Sequence, residues 1–139
     1  MDPLPAALKV LLVDDDPIQG RLLAARLAHC AETRVELEVA PTLGDALAAV
    51  AARSFDVVLL DLMLPDSREY DTFERMAAAA PRTPVLVMSG MEDEDLAWRL
   101  VRSGAQDFID KAQSDPRVLE RALRFAVARS RFAREGGAR

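Results

Sequence analysis

The sequence predicts an α/β protein: a five-stranded parallel sheet in the order 2-1-3-4-5, doubly wound by five helices, the last of them extended. Three observations lead there. Strand-like and helix-like patterns alternate five times along the chain. The runs at 57–60 and 85–88 are apolar throughout, as expected of strands covered on both faces. Right-handed crossovers and short loops then leave few topologies, and this doubly wound order fits them.

Lys9-Val10-Leu11-Leu12-Val13 is the first buried strand, and it runs into Asp14, Asp15 and Asp16. Pro17 suits the first turn of a helix, where its missing N–H costs nothing, and Asp16 is placed to cap it. Ile18, Leu22, Leu23, Leu27 and Ala28 recur at helical spacing up to about Cys30. Val35, Leu37 and Val39 alternate with Glu36 and Glu38, a strand with one polar face nearer the sheet edge. Thr42 caps the next helix, with Leu43, Ala46, Leu47 and Val50 as its apolar set. Val57-Val58-Leu59-Leu60 is the third strand; it ends in Asp61, and Pro65-Asp66 begins a loop. An alanine-rich helix over 70–80 stops at Pro81 and Pro84. Val85-Leu86-Val87-Met88 is the fourth strand, ending in Ser89-Gly90. A helix over 92–102 carries acids first and Arg99 and Arg102 last, which suits its dipole, and Gly104 stops it. Asp107-Phe108-Ile109-Asp110 is the fifth strand, followed by Lys111. The last helix runs from Pro116 to about Arg134.

A chain of 139 residues supports one domain with one core, expected over 8–134, with a disordered arm at 1–7 and a tail at 135–139. No apolar run approaches the roughly 20 residues of a membrane-spanning helix. The first residues hold no basic segment and no signal-like core, so a cytoplasmic protein with no membrane contact is expected. Cys30 is the only cysteine, so no internal disulfide forms, and it reads as a small hydrophobe. His29 is the only histidine, which weakens any histidine-based metal site or triad. The net charge of −5 conceals an asymmetry: 11 basic and 21 acidic residues over 1–116, then 7 arginines and 2 glutamates over 117–139. The acidic body argues against direct grip on nucleic-acid phosphates, and the arginines read as a solvated helix face.

The polar residues converge. In the predicted order, Asp14 and Asp15, Asp61, Ser89 and Lys111 all stand at carboxyl ends of strands, the edge where open α/β sheets bind ligands. Each alone reads as an ordinary loop or surface group; the combination carries the inference. Three neighbouring carboxylates cannot all stay ionised cheaply without a cation. An oxygen-rich cluster open to water suits Mg²⁺. Asp61 could then attack phosphorus to form an aspartyl phosphate, with Lys111 and Ser89 as donors to the phosphoryl oxygens. Lys9 and Lys111 are the only lysines among 18 basic residues, which points to a slim ammonium being wanted at 111.

With these residues in place, the chain resembles the receiver domains of two-component response regulators, a flavodoxin-like family, over about residues 8–128. The motifs are Val10-Leu11-Leu12-Val13-Asp14-Asp15, Asp61-Leu62-Met63-Leu64-Pro65-Asp66, Ser89-Gly90, and Gly104-Ala105-Gln106-Asp107-Phe108 leading to Lys111. The resemblance implies that Asp61 accepts a phosphoryl group from a histidine kinase or histidine phosphotransfer protein. It implies Mg²⁺ held by Asp15, Asp61 and the Met63 carbonyl, with Asp14 acting through water. Ser89 and Lys111 would hold the phosphoryl group, and Phe108 would be the aromatic whose rotamer follows the serine. The switching surface would span residues 92–128.

Departures from the family pattern set further expectations. Glu69 stands where receivers usually have Gly, which puts the usual loop conformation in question. Ala112 replaces a cis-linked Pro, and a non-proline cis bond costs roughly 2.5–4 kcal/mol, so a trans bond or a rearranged loop is expected. Met63 and Met91 are poorly suited to orient water, so a phosphorylated state would lose phosphate slowly. Two other classes remain open: a pseudo-receiver that binds protein without phosphorylation, and a Mg²⁺-dependent phosphohydrolase. The second usually needs an acid where Met63 stands. On the last helix, Val118, Phe125 and Phe132 recur every seven residues. Either this stripe meets a partner helix, in a homodimer or an output domain docked through residues 92–134, or Phe125 packs inward and Phe132 frays.

Overall fold

The computed structural model describes residues 6–89, 94–112 and 115–137. The elements run β1 (Ala7–Val13), α1 (Pro17–Leu27), β2 (Arg34–Ala40), α2 (Leu43–Ala52), β3 (Val57–Asp61), β4 (Met63–Leu64) and β5 (Ser67–Arg68). They continue with α3 (Glu69–Ala79), β6 (Val85–Ser89), α4 (Glu94–Arg102), β7 (Asp107–Asp110) and α5 (Pro116–Gly137). One parallel sheet has the order β2-β1-β3-β6-β7, which is the predicted 2-1-3-4-5 once the two-residue strands β4 and β5 are set aside.

The strands sort their side chains by parity, and this divides the core in two. Leu11, Val13, Val58, Leu60, Val85 and Val87 face one way, under α2, α3 and α4, where Leu43, Phe73, Met76 and Leu100 pack on them. Val10, Leu12, Val57, Leu59, Leu86 and Met88 face the other way, under Leu23 and Leu27 of α1 and Leu119 and Leu123 of α5. All five residues of β3 are buried, so Asp61 ends a strand that has no solvent face.

Helix ends follow the predicted chemistry. Asp16 accepts the Ile18 N–H (2.9 Å) at the start of α1. Thr42 accepts the Asp45 N–H (3.0 Å) at the start of α2. Gly104 closes α4 at φ +109°, a backbone setting that suits a residue without Cβ. There the Gly104 N–H donates to the Val101 carbonyl and the Ala105 N–H to the Leu100 carbonyl.

Four features differ from the sequence reading. On α1 the buried residues are Gly20, Leu23 and Leu27, whereas Ile18 and Leu22 are exposed. The segment after Asp61 is a small antiparallel hairpin of β4 and β5 rather than plain loop. Glu69 itself takes the positive φ, +48°, that was expected to exclude it. On α5, Val118, Phe125 and Phe132 are all exposed, at 46%, 55% and 67%, so Phe125 is not a core residue.

Residues 1–5 of the expected arm and 138–139 of the expected tail lie outside the described residues, with Ala7 already in β1 and α5 extending to Gly137. No helix among the described residues is long and apolar enough to cross a membrane.

Candidate functional site

At the carboxyl edge of the sheet, carboxylate oxygens of Asp14, Asp15 and Asp61 lie within 4.8 Å of one another. The fold brings them together because β1 and β3 are paired neighbours, with Val13 in register with Leu60. Asp14 is 2% exposed and Asp61 4%, while Asp15 is open to solvent. Both oxygens of Asp61 are engaged. Oδ1 accepts the Met63 N–H (3.0 Å), and Oδ2 accepts from Lys111 Nζ (2.8 Å). Lys111 follows β7, so its ammonium reaches across β6 to the end of β3.

Asp14 is less completely satisfied. Its Oδ1 accepts the Asp16 N–H (2.9 Å), but its buried Oδ2 has no protein donor. Burial pushes the Asp14 carboxyl above the usual carboxylate range; the Asp61 and Asp15 charges add to this, and the Asp16 N–H and Lys111 oppose it. At Lys111, burial works to lower the ammonium's pKa. The hydrogen bond to Asp61 and the charges of Asp61, Asp14 and Asp15 outweigh it, so the group stays above its ordinary value. An orphaned buried oxygen in a cluster of three carboxylates is what a hard divalent cation would complete.

The remaining site residues of the sequence reading fall nearby to different degrees. Met63 follows Asp61 by two residues, and its side chain is exposed. Ser89 ends β6 in register with Asp110 of β7; its side chain, and all of Met91, lie outside the described residues. Phe108 is partly buried and packs on the core beneath α2, α3 and α4. No cis peptide bond occurs among the described residues, so Lys111–Ala112 is trans, with the Ala112 N–H bonded to Asp110 Oδ1 (2.8 Å).

Four further residues contribute in roles that the sequence does not spell out. Asp66, read as loop punctuation, accepts the Leu43 and Gly44 N–H groups (both 2.9 Å) at the start of α2. Those two donors hold its carboxyl below the usual range. Thr72 reaches Ser67 Oγ (2.8 Å), and the Glu69 N–H donates to the Leu62 carbonyl (2.7 Å), closing the hairpin. Tyr70 lies beneath the Arg99 guanidinium (4.6 Å to the ring centroid), and its hydroxyl meets Ser103 Oγ (2.7 Å). Gln19, in the first turn of α1, donates to the Lys111 carbonyl (3.1 Å). Gln19 left a sequence signal as a polar residue one turn beyond the acidic run, and Asp66 as the end of the Asp61–Asp66 motif. A cleft of about 510 Å³ at the opposite edge, lined by Arg53, Phe55, Arg82 and Arg131 among others, lies away from this chemistry.

Residues 10–124 match the response regulator receiver domain family. The chain belongs to that family. Among relatives, this receiver is 37% identical over 105 residues to protein-glutamate methylesterase/protein-glutamine glutaminase 2 of Anaeromyxobacter dehalogenans, covering 75% of this chain and 30% of that protein. It is 30% identical over 103 residues to the response regulator protein PilR of Pseudomonas aeruginosa, covering 74% and 22%. The receiver therefore spans about a third or less of these two curated relatives. Among solved structures, NtrX from Brucella abortus matches at TM-score 0.76 and 30% identity over 95% of this chain and 29% of that one. The signal receiver domain of an HD domain-containing protein from Pseudomonas fluorescens Pf-5 matches at TM-score 0.80 and 24% identity over 97% of both chains, a likeness of fold. The protein is a signalling receiver of the two-component type.

Proposed function

We propose that this receiver takes a phosphoryl group onto Asp61 and signals through a protein surface. The observation that carries the reading is the grip on Asp61: one oxygen on a backbone N–H, the other on the Lys111 ammonium, with two more carboxylates alongside. In the reaction, an Asp61 oxygen attacks the phosphorus of a phosphohistidine. A new P–O bond forms as the P–N bond breaks, and the imidazole nitrogen leaves with the electron pair. The donor would be a histidine kinase or a histidine phosphotransfer protein. Lys111, already at Oδ2, is placed to follow the charge onto the phosphoryl oxygens, and Ser89 would be the second donor.

The residues present fit a divalent cation. Asp15, Asp61 and the Met63 carbonyl would hold Mg²⁺, with Asp14 next to it. When bound, the ion would offset the repulsion between the carboxylates and the incoming phosphoryl oxygens. Phe108 would couple Ser89 to the switching surface over residues 92–128. We assign the folded receiver to residues 8–134, in the cytoplasm, with phosphate loss from Asp61 slow because Met63 offers no polar group to water.

Two exposed faces support protein partners. Ile18 and Leu22 form an apolar patch on α1, the helix that follows the acidic pair, and this suits docking of the donor protein. Ile18→Asp is expected to slow transfer from a protein donor about 10-fold or more, the scale of one lost apolar anchor. Uptake from acetyl phosphate should be unchanged; equal slowing with both donors would remove α1 from the docking face. Val118, Phe125 and Phe132 form the second stripe, on α5, suited to a homodimer or to an output domain of a longer protein. Sedimentation of Phe125→Glu/Phe132→Glu beside the parent tests the homodimer. The parent should show a dimer that the variant lacks, and two identical monomers leave only the output domain.

The proposal as a whole is tested by intact mass after incubation with acetyl phosphate and Mg²⁺. A stable gain of one phosphoryl group is expected. No gain would favour a phosphorylation-independent binding module, and rapid donor turnover without gain would favour a hydrolase.

A further inference from the structure

The contact between Gln19 and Lys111 joins residues 92 positions apart. Gln19 lies in the first turn of α1, so one short segment, residues 14–19, carries both the acidic pair and this amide. Lys111 sits in the turn after β7, where its side chain is about one-third exposed and ends 2.8 Å from Asp61. A lysine side chain is long and flexible, so the position of its ammonium depends on how firmly its own backbone is held. Ala112 gives that backbone no ring to restrict it, and the bond before it is trans. Two hydrogen bonds restrain the turn instead. Asp110 Oδ1 accepts the Ala112 N–H on one side of the Lys111–Ala112 peptide, and Gln19 Nε2 donates to the Lys111 carbonyl on the other. The first is local, within three residues. The second, among the described residues, ties the Lys111 backbone to the segment that bears Asp14 and Asp15.

We propose that Gln19 is a positioning residue that fixes the Lys111 backbone relative to the acidic cluster, and through it sets the ammonium against Asp61. The role in phosphoryl uptake rests on the function proposed above; the tether itself does not. A side-chain amide suits this task because it donates a hydrogen bond without adding charge to a site already crowded with carboxylates. An acid in its place would repel the carbonyl, and a base would compete with Lys111 for Asp61.

Gln19→Ala and Gln19→Met, in the full chain, test this. Methionine keeps much of the glutamine's shape and lacks the donor. In both variants, backbone ¹⁵N relaxation should show the Lys111 and Ala112 amides falling from the rigid range of about 0.85 in order parameter, with Leu60 and Val87 unchanged. The rate of phosphoryl uptake from acetyl phosphate should fall about 10-fold, as expected for a displaced group near the reacting atoms. Mg²⁺ affinity by calorimetry should not fall, because the three carboxylates are untouched, and should rise no further than in Lys111→Met. In a Lys111→Met background, Gln19→Ala should slow uptake no further, because the tether acts only through the lysine. Unchanged order at Lys111 and Ala112, or full additivity with Lys111→Met, would overturn the proposal. If the parent takes up no phosphoryl group, the phosphorylation reading fails separately, and the order parameters alone decide the tether.

Discussion

Asp61→Asn is expected to take up no phosphoryl group under conditions that load the parent fully. The substitution is nearly isosteric, and the amide oxygen can still accept the Met63 N–H that now holds Oδ1. What disappears is the anionic nucleophile, because an amide oxygen does not form a stable bond to phosphorus at neutral pH. The other half of the amide is an NH₂ facing Lys111 Nζ, where a 2.8 Å ion pair stood, so the ammonium turns toward Asp14, Asp15 or solvent. Lys111→Met gives a graded contrast. It keeps the nucleophile and removes one preorganised charge, a loss on the order of 10²–10³ in rate at sites of this kind. It should also raise Mg²⁺ affinity, since a competing positive charge has left three carboxylates. Intact mass, uptake rate and calorimetry on the two variants separate the roles. Phosphate found on Asp14 or Asp15 in Asp61→Asn, or equal residual rates in both variants, would mean that Asp61 is not the acceptor.

Why the sheet was legible and the acceptor loop was not follows from the range of the forces. Val57 to Leu60 and Val85 to Val87 must leave water on both faces, and that demand is written in consecutive residues. Once the strand order is known, the convergence of Asp14, Asp15, Asp61 and Lys111 follows from which strands end together. The hairpin after Asp61 depends instead on contacts made far along the chain. Asp66 meets the start of α2 at a separation of 22 residues, and Tyr70 meets Ser103 at 33.

Those contacts also account for Glu69. The bond from its N–H to the Leu62 carbonyl and the anchoring of Tyr70 hold a backbone setting that a free glutamate would avoid. On α1 the error had another source. Ile18 and Leu22 share helical spacing with Leu23 and Leu27, but the helix turns Gly20 to the sheet, and glycine contributes nothing to an apolar pattern.

Mg²⁺ should stabilise the parent strongly near neutral pH, and Asp14 should account for much of that gain. Its folded-state pKa lies above the ordinary value, so the folded protein binds this proton more tightly than the unfolded chain. The sign follows by linkage. Asp14 costs little stability in acid, and the cost grows as pH rises through the interval between the ordinary and folded values. Above that interval the cost stays in full. Asp66 has the opposite sign: its lowered pKa contributes stability above the ordinary range and loses it in acid. Removing the Asp14 charge should therefore help the cation-free protein at neutral pH. Asp14→Asn is expected to gain about 1 kcal/mol, the low end for a buried unsatisfied group because Asp15 leaves one side of the cluster open to water. Adding Mg²⁺ at about 100 times its dissociation constant should raise parent stability by about 2.7 kcal/mol. The variant should keep only part of that gain at the same concentration. In the parent the gain should shrink near pH 4, where protons compete for the same oxygens. Urea melts of both proteins, with and without Mg²⁺ at the two pH values, carry the test. A cation-free variant less stable than the parent, or a Mg²⁺ gain indifferent to both pH and Asp14, would mean that the orphaned oxygen is not part of a cation site.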